Sequence, residues 1–162
     1  MVSKRWFRVQ SIGTVQRDSV PIPAEGEFYD PWQETTLEID ERWSEGLVGI
    51  EEFSHLVVVF YLDRARRARK PPVARAAENQ PEARPVGFFA TRTPRRPNPI
   101  GLSYPRLLRR KGNRLIVSGI DAWPGTPILD IKGYYTRDEQ RIDATVPDWL
   151  SSLWKRHDQE RS

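Results

Sequence analysis

The chain has 162 residues, a formal net charge of +4, 38% hydrophobic and 30% charged residues, and no cysteine. These values suit one globular domain and exclude a disordered chain, and no apolar run reaches the roughly 20 residues of a membrane span. Disulfides and thiolate metal ligands are excluded, and His55 and His157 are too far apart in sequence to suggest a zinc site.

The first residues, Met1-Val2-Ser3-Lys4-Arg5-Trp6, lack the apolar core of a signal peptide, so the expected location is the cytoplasm. Seven short, β-branched segments then follow in order. They are Phe7 to Val15, Thr35 to Ile39, Leu56 to Leu62, Val86 to Ala90, Ile100 to Leu108, Arg114 to Ile120 and Ile128 to Ile131. Turn residues such as Lys111-Gly112-Asn113 and Ala122-Trp123-Pro124-Gly125 separate several of them. This pattern predicts an all-β fold, a small barrel or sandwich, forming a single domain over residues 1–162. Leu56 to Leu62 is apolar throughout, as a central strand covered on both faces would be. Val117 to Ile120 and Asp130 to Lys132 alternate, and read as half-exposed.

Two stretches break the strand pattern. Asp63 to Arg84, rich in alanine, arginine and proline, reads as a long basic crossover with one possible helical turn. Asp148 to Arg156 reads as a short helix with Trp149, Leu150, Leu153 and Trp154 on one side, docking onto the sheet or capping a pocket or a partner subunit.

The arginines are bunched. Arg64, Arg66, Arg67, Arg69, Lys70 and Arg75 form one cluster, Arg92, Arg95 and Arg96 a second, and Arg106, Arg109, Arg110 and Lys111 a third. A run of charge is ordinarily a solvated face, but three clusters in one chain suit a nucleic acid or another phosphate-bearing partner. Arg66, Arg67, Arg69, Arg95 and Arg96 are the candidate RNA contacts.

The second cluster lies in the most informative stretch. Phe88-Phe89-Ala90 leads into Thr91-Arg92-Thr93-Pro94-Arg95-Arg96-Pro97-Asn98-Pro99, and the chain leaves along Ile100-Gly101-Leu102-Ser103. Each proline fixes φ, so the loop holds its arginines and Asn98 stiffly before any ligand arrives. A second segment, Asp121 to Pro127, ends one strand and turns into the next. Its backbone amides and carbonyls, with the Thr126 hydroxyl, could read a nucleobase edge; the plainer reading is a tight hairpin stabilised by Asp121. His55, at the start of the buried strand, reads first as a hydrogen-bonded core group, and Trp32 and Trp43 as packing residues. No glycine-rich phosphate loop, nucleophile elbow, Ser-His-Asp set or paired carboxylates is present. An enzyme built from these residues would work by positioning a reactive cofactor.

Five segments in order carry a resemblance. They are Ile12-Gly13-Thr14-Val15, Glu52-Phe53-Ser54-His55-Leu56, Phe89-Ala90-Thr91-Arg92, Arg96-Pro97-Asn98-Pro99-Ile100-Gly101, and Gly125-Thr126-Pro127-Ile128-Leu129-Asp130-Ile131-Lys132. Together, over roughly residues 10 to 135, they resemble the TrmO (TsaA-like, YaeB) family. The resemblance implies a small β-barrel with a core near residues 8–135 and an extension over 136–162. It also implies a homodimer, S-adenosylmethionine as cofactor, and methyl transfer to the exocyclic nitrogen of threonylcarbamoyl-adenosine beside a tRNA anticodon. It places Arg92 on the methionine carboxylate, Asn98, Pro99 and Gly101 in the loop that shapes the pocket, and Asp121, Gly125, Thr126 and Pro127 along the adenosine. His55 and Asp63 join the implied cofactor contacts.

The chain departs from that pattern at two places. Members acting on tRNA commonly carry a Pro-Arg-Gln element where this chain has Val20 to Gly26, and Phe-His-Gln where it has Leu62-Asp63-Arg64. Well-known members also carry an additional C-terminal domain. Two other readings therefore stand beside a tRNA methyltransferase: an enzyme using the same cofactor on a small molecule, and a non-catalytic RNA-binding barrel.

Overall fold

The computed structural model describes residues 5, 7–17, 32–65, 73–75 and 85–160. Among the described residues the strands are β1 Gly13–Gln16, β2 Thr35–Ile39, β3 Leu56–Tyr61, β4 Val73–Arg75, β5 Pro85–Gly87, β6 Ile100–Ser103, β7 Arg106–Lys111, β8 Arg114–Ser118 and β9 Pro127–Gly133. The helices are α1 Thr136–Glu139 and α2 Asp148–Glu160. Contacts divide the chain into two compact units, Met1–Ala65 with Pro99–Tyr135, and Arg66–Asn98 with Thr136–Ser162.

The first unit is a seven-stranded sheet in the order β6-β3-β9-β1-β2-β8-β7, with every neighbouring pair antiparallel. Alternation selects the buried face: Thr35, Leu37 and Ile39 of β2 point inward, while Thr36 and Glu38 are half-exposed. Val15, Leu37, Leu56, Val58, Leu115, Val117, Ile120 and Ile128 are fully buried and form the core. Each such side chain contributes about 1.5–3 kcal/mol on leaving water. As its composition predicts, β3 is central, lying between β6 and β9 with Leu56, Val57, Val58 and Phe60 buried.

The segment Ile100 to Leu108 folds as β6 and β7, interrupted at Tyr104-Pro105, where proline cannot donate a ladder bond. The β3–β6 register nevertheless runs on past the interruption. Tyr61 faces Ile100 and Val58 faces Ser103, and in the same register Leu56 N donates to Pro105 O at 3.0 Å, His55 bridges Arg106, and Leu107 N donates to Ser54 O at 2.9 Å. Gly101 makes this pairing possible. A Cβ there would overlap the ring of Phe60, its partner across the ladder.

Several expectations shift. Only Gly13 to Val15 of the Phe7-to-Val15 segment is strand, and the strand runs on to Gln16; Phe7 and Val9 lie exposed, with no strand beside them among the described residues. The turns Glu41–Leu47 and Ile50–Glu52 are 3₁₀ helices that no apolar periodicity announced. In the second unit, β4 pairs with β5, and the expected strand Val86 to Ala90 becomes Pro85–Gly87 followed by a 3₁₀ turn, Phe88–Ala90. Most of the basic crossover, including its expected helical turn, lies outside the described residues, as does Val20 to Gly26. The C-terminal helix runs to Glu160, four residues beyond the expected Arg156.

Two predictions follow from these contacts. Gly101→Ala should lower stability by about 1–3 kcal/mol through overpacking against Phe60, measurable by urea denaturation, and Phe60→Leu should restore part of the loss. On the sheet surface, Arg109 donates to both carboxylate oxygens of Glu34 at 3.1 and 2.8 Å, holding that carboxyl below its usual range. A depressed folded-state value means that the pair's contribution is present above the unfolded carboxyl's titration and lost as pH falls through the folded one. NMR titration should show the Glu34 midpoint rising in Arg109→Ala.

Candidate functional site

The register of β3 sorts the residues singled out in the sequence. At its C-terminal end, Leu62 N donates to Pro99 O at 2.8 Å and Phe60 pairs with both Gly101 and Ile128. Leu62-Asp63-Arg64 therefore lies beside the start of β6 and the start of β9. The connection from β8 to β9 arrives at the same end. Asp121 N donates to Ser103 Oγ at 3.2 Å, Ile120 and Ala122 enter the core, and Arg64 Nη2 donates to Pro124 O at 3.1 Å. The Arg64 guanidinium lies 5.5 Å from the Trp123 ring centroid. This pairing of cation and ring fixes the connection to the Asp63–Arg64 turn.

Asp63, Pro99, Gly101, Asp121, Gly125, Thr126 and Pro127 are thus brought to one end of the sheet. His55 is not. It precedes the other end of β3, roughly 20 Å from Tyr61 by strand rise, where its Nδ1 lies 3.0 Å from Ser54 Oγ and its ring meets Tyr134 edge-on at 6.3 Å. The strand that carries both His55 and Asp63 holds them apart, so His55 does not join this group.

The turn at Gly125 is closed by backbone ties, as in the plainer reading of a tight hairpin and unlike an open nucleobase reader, but the Asp121 side chain does not brace it. Gly125, at φ 83°, donates its N–H to Val15 O at 2.8 Å. Thr126 N donates to Trp123 O at 3.1 Å, and Thr126 O accepts from Val15 N at 3.0 Å. These groups hold the connection onto β1, and Thr126 itself is buried. What the turn presents outward is the Trp123 indole and the Asp121 carboxylate. The latter is exposed and has no hydrogen bond or ion pair among the described residues, a condition shared by Asp63.

The second unit carries the arginine loop. Arg96 is half-buried and its Nη1 donates to Phe88 O at 3.0 Å and Thr91 O at 2.9 Å, while its guanidinium lies over the Phe89 ring at 5.9 Å. The sequence reading of Arg96 as an RNA contact missed this role as the loop's internal brace. Arg92, Arg95 and Asn98 are exposed and uncommitted among the described residues. Arg66, Arg67 and Arg69 lie outside the described residues. In the third cluster, Arg109 pairs with Glu34, and Arg110 donates to Leu47 O at 2.8 Å and to Glu51 at 3.2 Å. Two of that cluster's four cations are therefore tied to groups of the protein itself. Arg64 and Trp123 are the pair that sequence reasoning missed, since nothing in their spacing joins positions 64 and 123.

Among the described residues no group of three or more His, Cys, Asp or Glu could hold a metal ion, and no helix is long and apolar enough to cross a membrane. The first unit is thus an antiparallel β protein that presents an indole and unpaired carboxylates at one strand end, and the braced arginine loop belongs to the second unit. More particularly, the chain belongs to the tRNA-methyltransferase O family, whose N-terminal domain model matches residues 12–140. It is 41% identical over 117 residues to a probable S-adenosyl-L-methionine-binding protein of Pyrococcus abyssi, covering 72% of this chain and 60% of that one. An S-adenosyl-L-methionine-binding protein of Archaeoglobus fulgidus is 38% identical over 134 residues, covering 83% of this chain and 89% of the relative. The crystal structure of TrmO from Pseudomonas aeruginosa superposes with a TM-score of 0.64 at 28% identity, covering 87% of this chain and 62% of that one. The chain therefore spans under two thirds of the Pyrococcus protein and of TrmO.

Arg96→Ala should lower stability by about 1–3 kcal/mol and speed tryptic cleavage after Arg92 and Arg95, because the part-buried Thr91 carbonyl loses its charged donor and Phe88 O keeps only the Thr91 amide and hydroxyl. Arg92→Ala should leave the melting temperature unchanged. Thermal denaturation beside limited proteolysis distinguishes the two arginines.

Proposed function

We propose that the protein binds S-adenosylmethionine and transfers its methyl group to tRNA, as a cytoplasmic homodimer. The observation that carries the reading is family membership over residues 12–140, together with polar groups left uncommitted at the positions the family motifs single out. We further read the sheet as a small barrel. In support, the β3–β6 register continues through the His55–Arg106 bridge into β7, which itself pairs with β8, a path that would bring the two ends of the strand order together.

The residues present suit the cofactor's chemistry. An unpaired carboxylate at Asp121 would accept hydrogen bonds from ribose hydroxyls, and the flat Trp123 indole would take an adenine or a cationic group. The uncommitted Arg92 guanidinium would hold the methionine carboxylate. Gly125, Thr126 and Pro127 act through the backbone, by fixing the connection that carries Asp121 and Trp123. Bound S-adenosylmethionine supplies an electrophilic methyl group on a good leaving group. The chain's contribution is then to orient, to exclude water and to leave the acceptor nitrogen a path in line with the methyl. The finer reading of the acceptor is the exocyclic nitrogen of threonylcarbamoyl-adenosine beside the anticodon. Arg95, and Arg66, Arg67 and Arg69 of the crossover, would meet the phosphates.

A specific observation favours a second reading, a small-molecule acceptor. Arg96, Arg109 and Arg110 are tied to groups of the protein itself, which thins the cationic surface that a tRNA would need. Calorimetric titration with S-adenosylmethionine should show saturable binding, weakened about tenfold or more in Arg92→Ala and in Asp121→Asn. Transfer of labelled methyl to bulk tRNA, falling steeply with salt, then supports the tRNA reading; transfer only to an RNA-free extract supports the second. Absence of binding near 1 mM cofactor by calorimetry and a second method, weaker than about −4 kcal/mol, removes both in favour of a non-catalytic RNA-binding barrel.

A further inference from the structure

His55 lies outside the group gathered near Asp63, and the strand register shows what surrounds it. The most deeply buried side chains of β3 are Leu56, Val58 and Phe60, so alternation turns His55, Val57 and Val59 to the opposite, outer face. The neighbouring strands fall in step. On one side Val58 faces Ser103, Leu56 N donates to Pro105 O and His55 bridges Arg106, which sets Tyr104 beside Val57. On the other side Val57 faces Lys132, and Tyr134 N donates to His55 O at 3.0 Å. The outer face of the first unit therefore carries Arg106, His55 and Tyr134 in one row and Tyr104, Val57 and Lys132 in the next.

The rings turn this face into a platform. Tyr104 and Tyr134 come from strands about 9.5 Å apart, with β3 between them. Their rings nevertheless meet edge to face at 5.8 Å. They lean toward each other over β3, and Val57 between them is 8% exposed. His55 continues the array, its ring 6.3 Å from that of Tyr134. Tyr104 stays 44% exposed, and neither tyrosine hydroxyl has a partner among the described residues. The charges are sorted as well. Asp130, one row further along, is paired with Lys132, whereas Arg106 is exposed and uncommitted among the described residues.

Exposed rings beside a free cation suit a chain of flat bases joined by phosphates. Every base has a π face to stack, and every linkage has an anion for the guanidinium. A second copy of this chain suits the face less well, because two uncommitted guanidiniums would meet with no free carboxylate in these rows to pair them.

We propose that the outer face around Tyr104, Tyr134, His55 and Arg106 is a stacking site for unpaired RNA nucleotides. The inference rests on the reading of RNA as a partner and adds the surface that holds the strand. His55 and Arg106 sit roughly 20 Å by strand rise from Tyr61, so the nucleotides held here are not the one that accepts the methyl group.

The test is fluorescence anisotropy with a labelled, unmodified single-stranded RNA, in the absence of cofactor. Tyr104→Ala should weaken binding about tenfold, and Tyr104→Phe, which keeps the ring, should bind as the wild type does. Arg106→Gln should lower the slope of log affinity against log salt by about 0.7, the loss of one phosphate contact on a single strand. Calorimetric titration with S-adenosylmethionine should be the same in all three variants. No binding of the strand by the wild type, equal binding by Tyr104→Ala, or a loss in Tyr104→Phe as deep as in Tyr104→Ala overturns the proposal. So does a change in sedimentation of the free protein on Tyr104→Ala, which assigns the face to a protein partner. Should Tyr104→Ala fail to fold, the salt slope of Arg106→Gln decides. Methyl transfer to tRNA with an unchanged KM in Tyr104→Ala overturns this site and leaves the tRNA reading standing. Strand binding that depends on Tyr104, without any methyl transfer to tRNA, upholds the site and removes that reading.

Discussion

The ladder between β3 and the bent strand formed by β6 and β7 is the constraint on which the rest of the first unit depends. β3 has apolar side chains on both faces and needs a neighbour on each edge. β9 supplies one and Ile100–Ser103 the other, with Gly101 yielding its side-chain volume to Phe60. Because side chains alternate with a period of two, a slip of one residue would turn Phe60 and Val58 outward, so the core holds the register. The register in turn decides which residues can meet. Positions 60–64, 99–101 and 125–128 converge at one end of β3, and His55 goes to the other.

The arginines divide by what they touch rather than by where they cluster in sequence. Arg64, Arg96 and Arg110 donate to backbone carbonyls of loops that lack a regular ladder, and Arg109 grips Glu34 through both nitrogens. A guanidinium has five donors in a rigid fork, which suits it to this bracing of irregular backbone. The Arg92–Pro99 loop shows the division at short range. Arg96 faces in and braces Phe88–Thr91, while Arg92 and Arg95 remain uncommitted among the described residues. A stiff loop with free cations on a braced base can meet an anion without first losing much conformational freedom.

Much of the fold was legible because it rests on local patterns. β2 was read with its observed ends, β3 and β8 within two residues, and the central position of β3 followed from its unbroken apolar run. The failures have local causes as well. Phe88–Ala90 looks like strand by composition, yet the Thr91 amide and the Arg96 guanidinium both bond to Phe88 O and close a 3₁₀ turn. Phe7 and Val9 have strand-like side chains but no neighbouring strand among the described residues, and propensity alone makes no ladder. For the candidate site, sequence found the segments but not their internal commitments. Nothing local reveals that Arg96 faces inward, that the Gly125 and Thr126 amides are taken by the fold, or that residues 64 and 123 touch, because each depends on the path of a distant segment.

That gap bears on how a loop should be weighed as a ligand reader. Gly125-Thr126-Pro127 invites a direct role because turns expose backbone, but here both of its amides have partners before any ligand arrives. A donor already held at 2.8 Å by Val15 O could serve a ligand only by breaking the tie that sets the turn in place. The same ties hold Trp123 and Asp121 still, flanked by Ile120 and Ala122 in the core and by Arg64 on the indole. The motif residues thus act as a frame, and the groups free to meet a ligand are the neighbours that the frame presents.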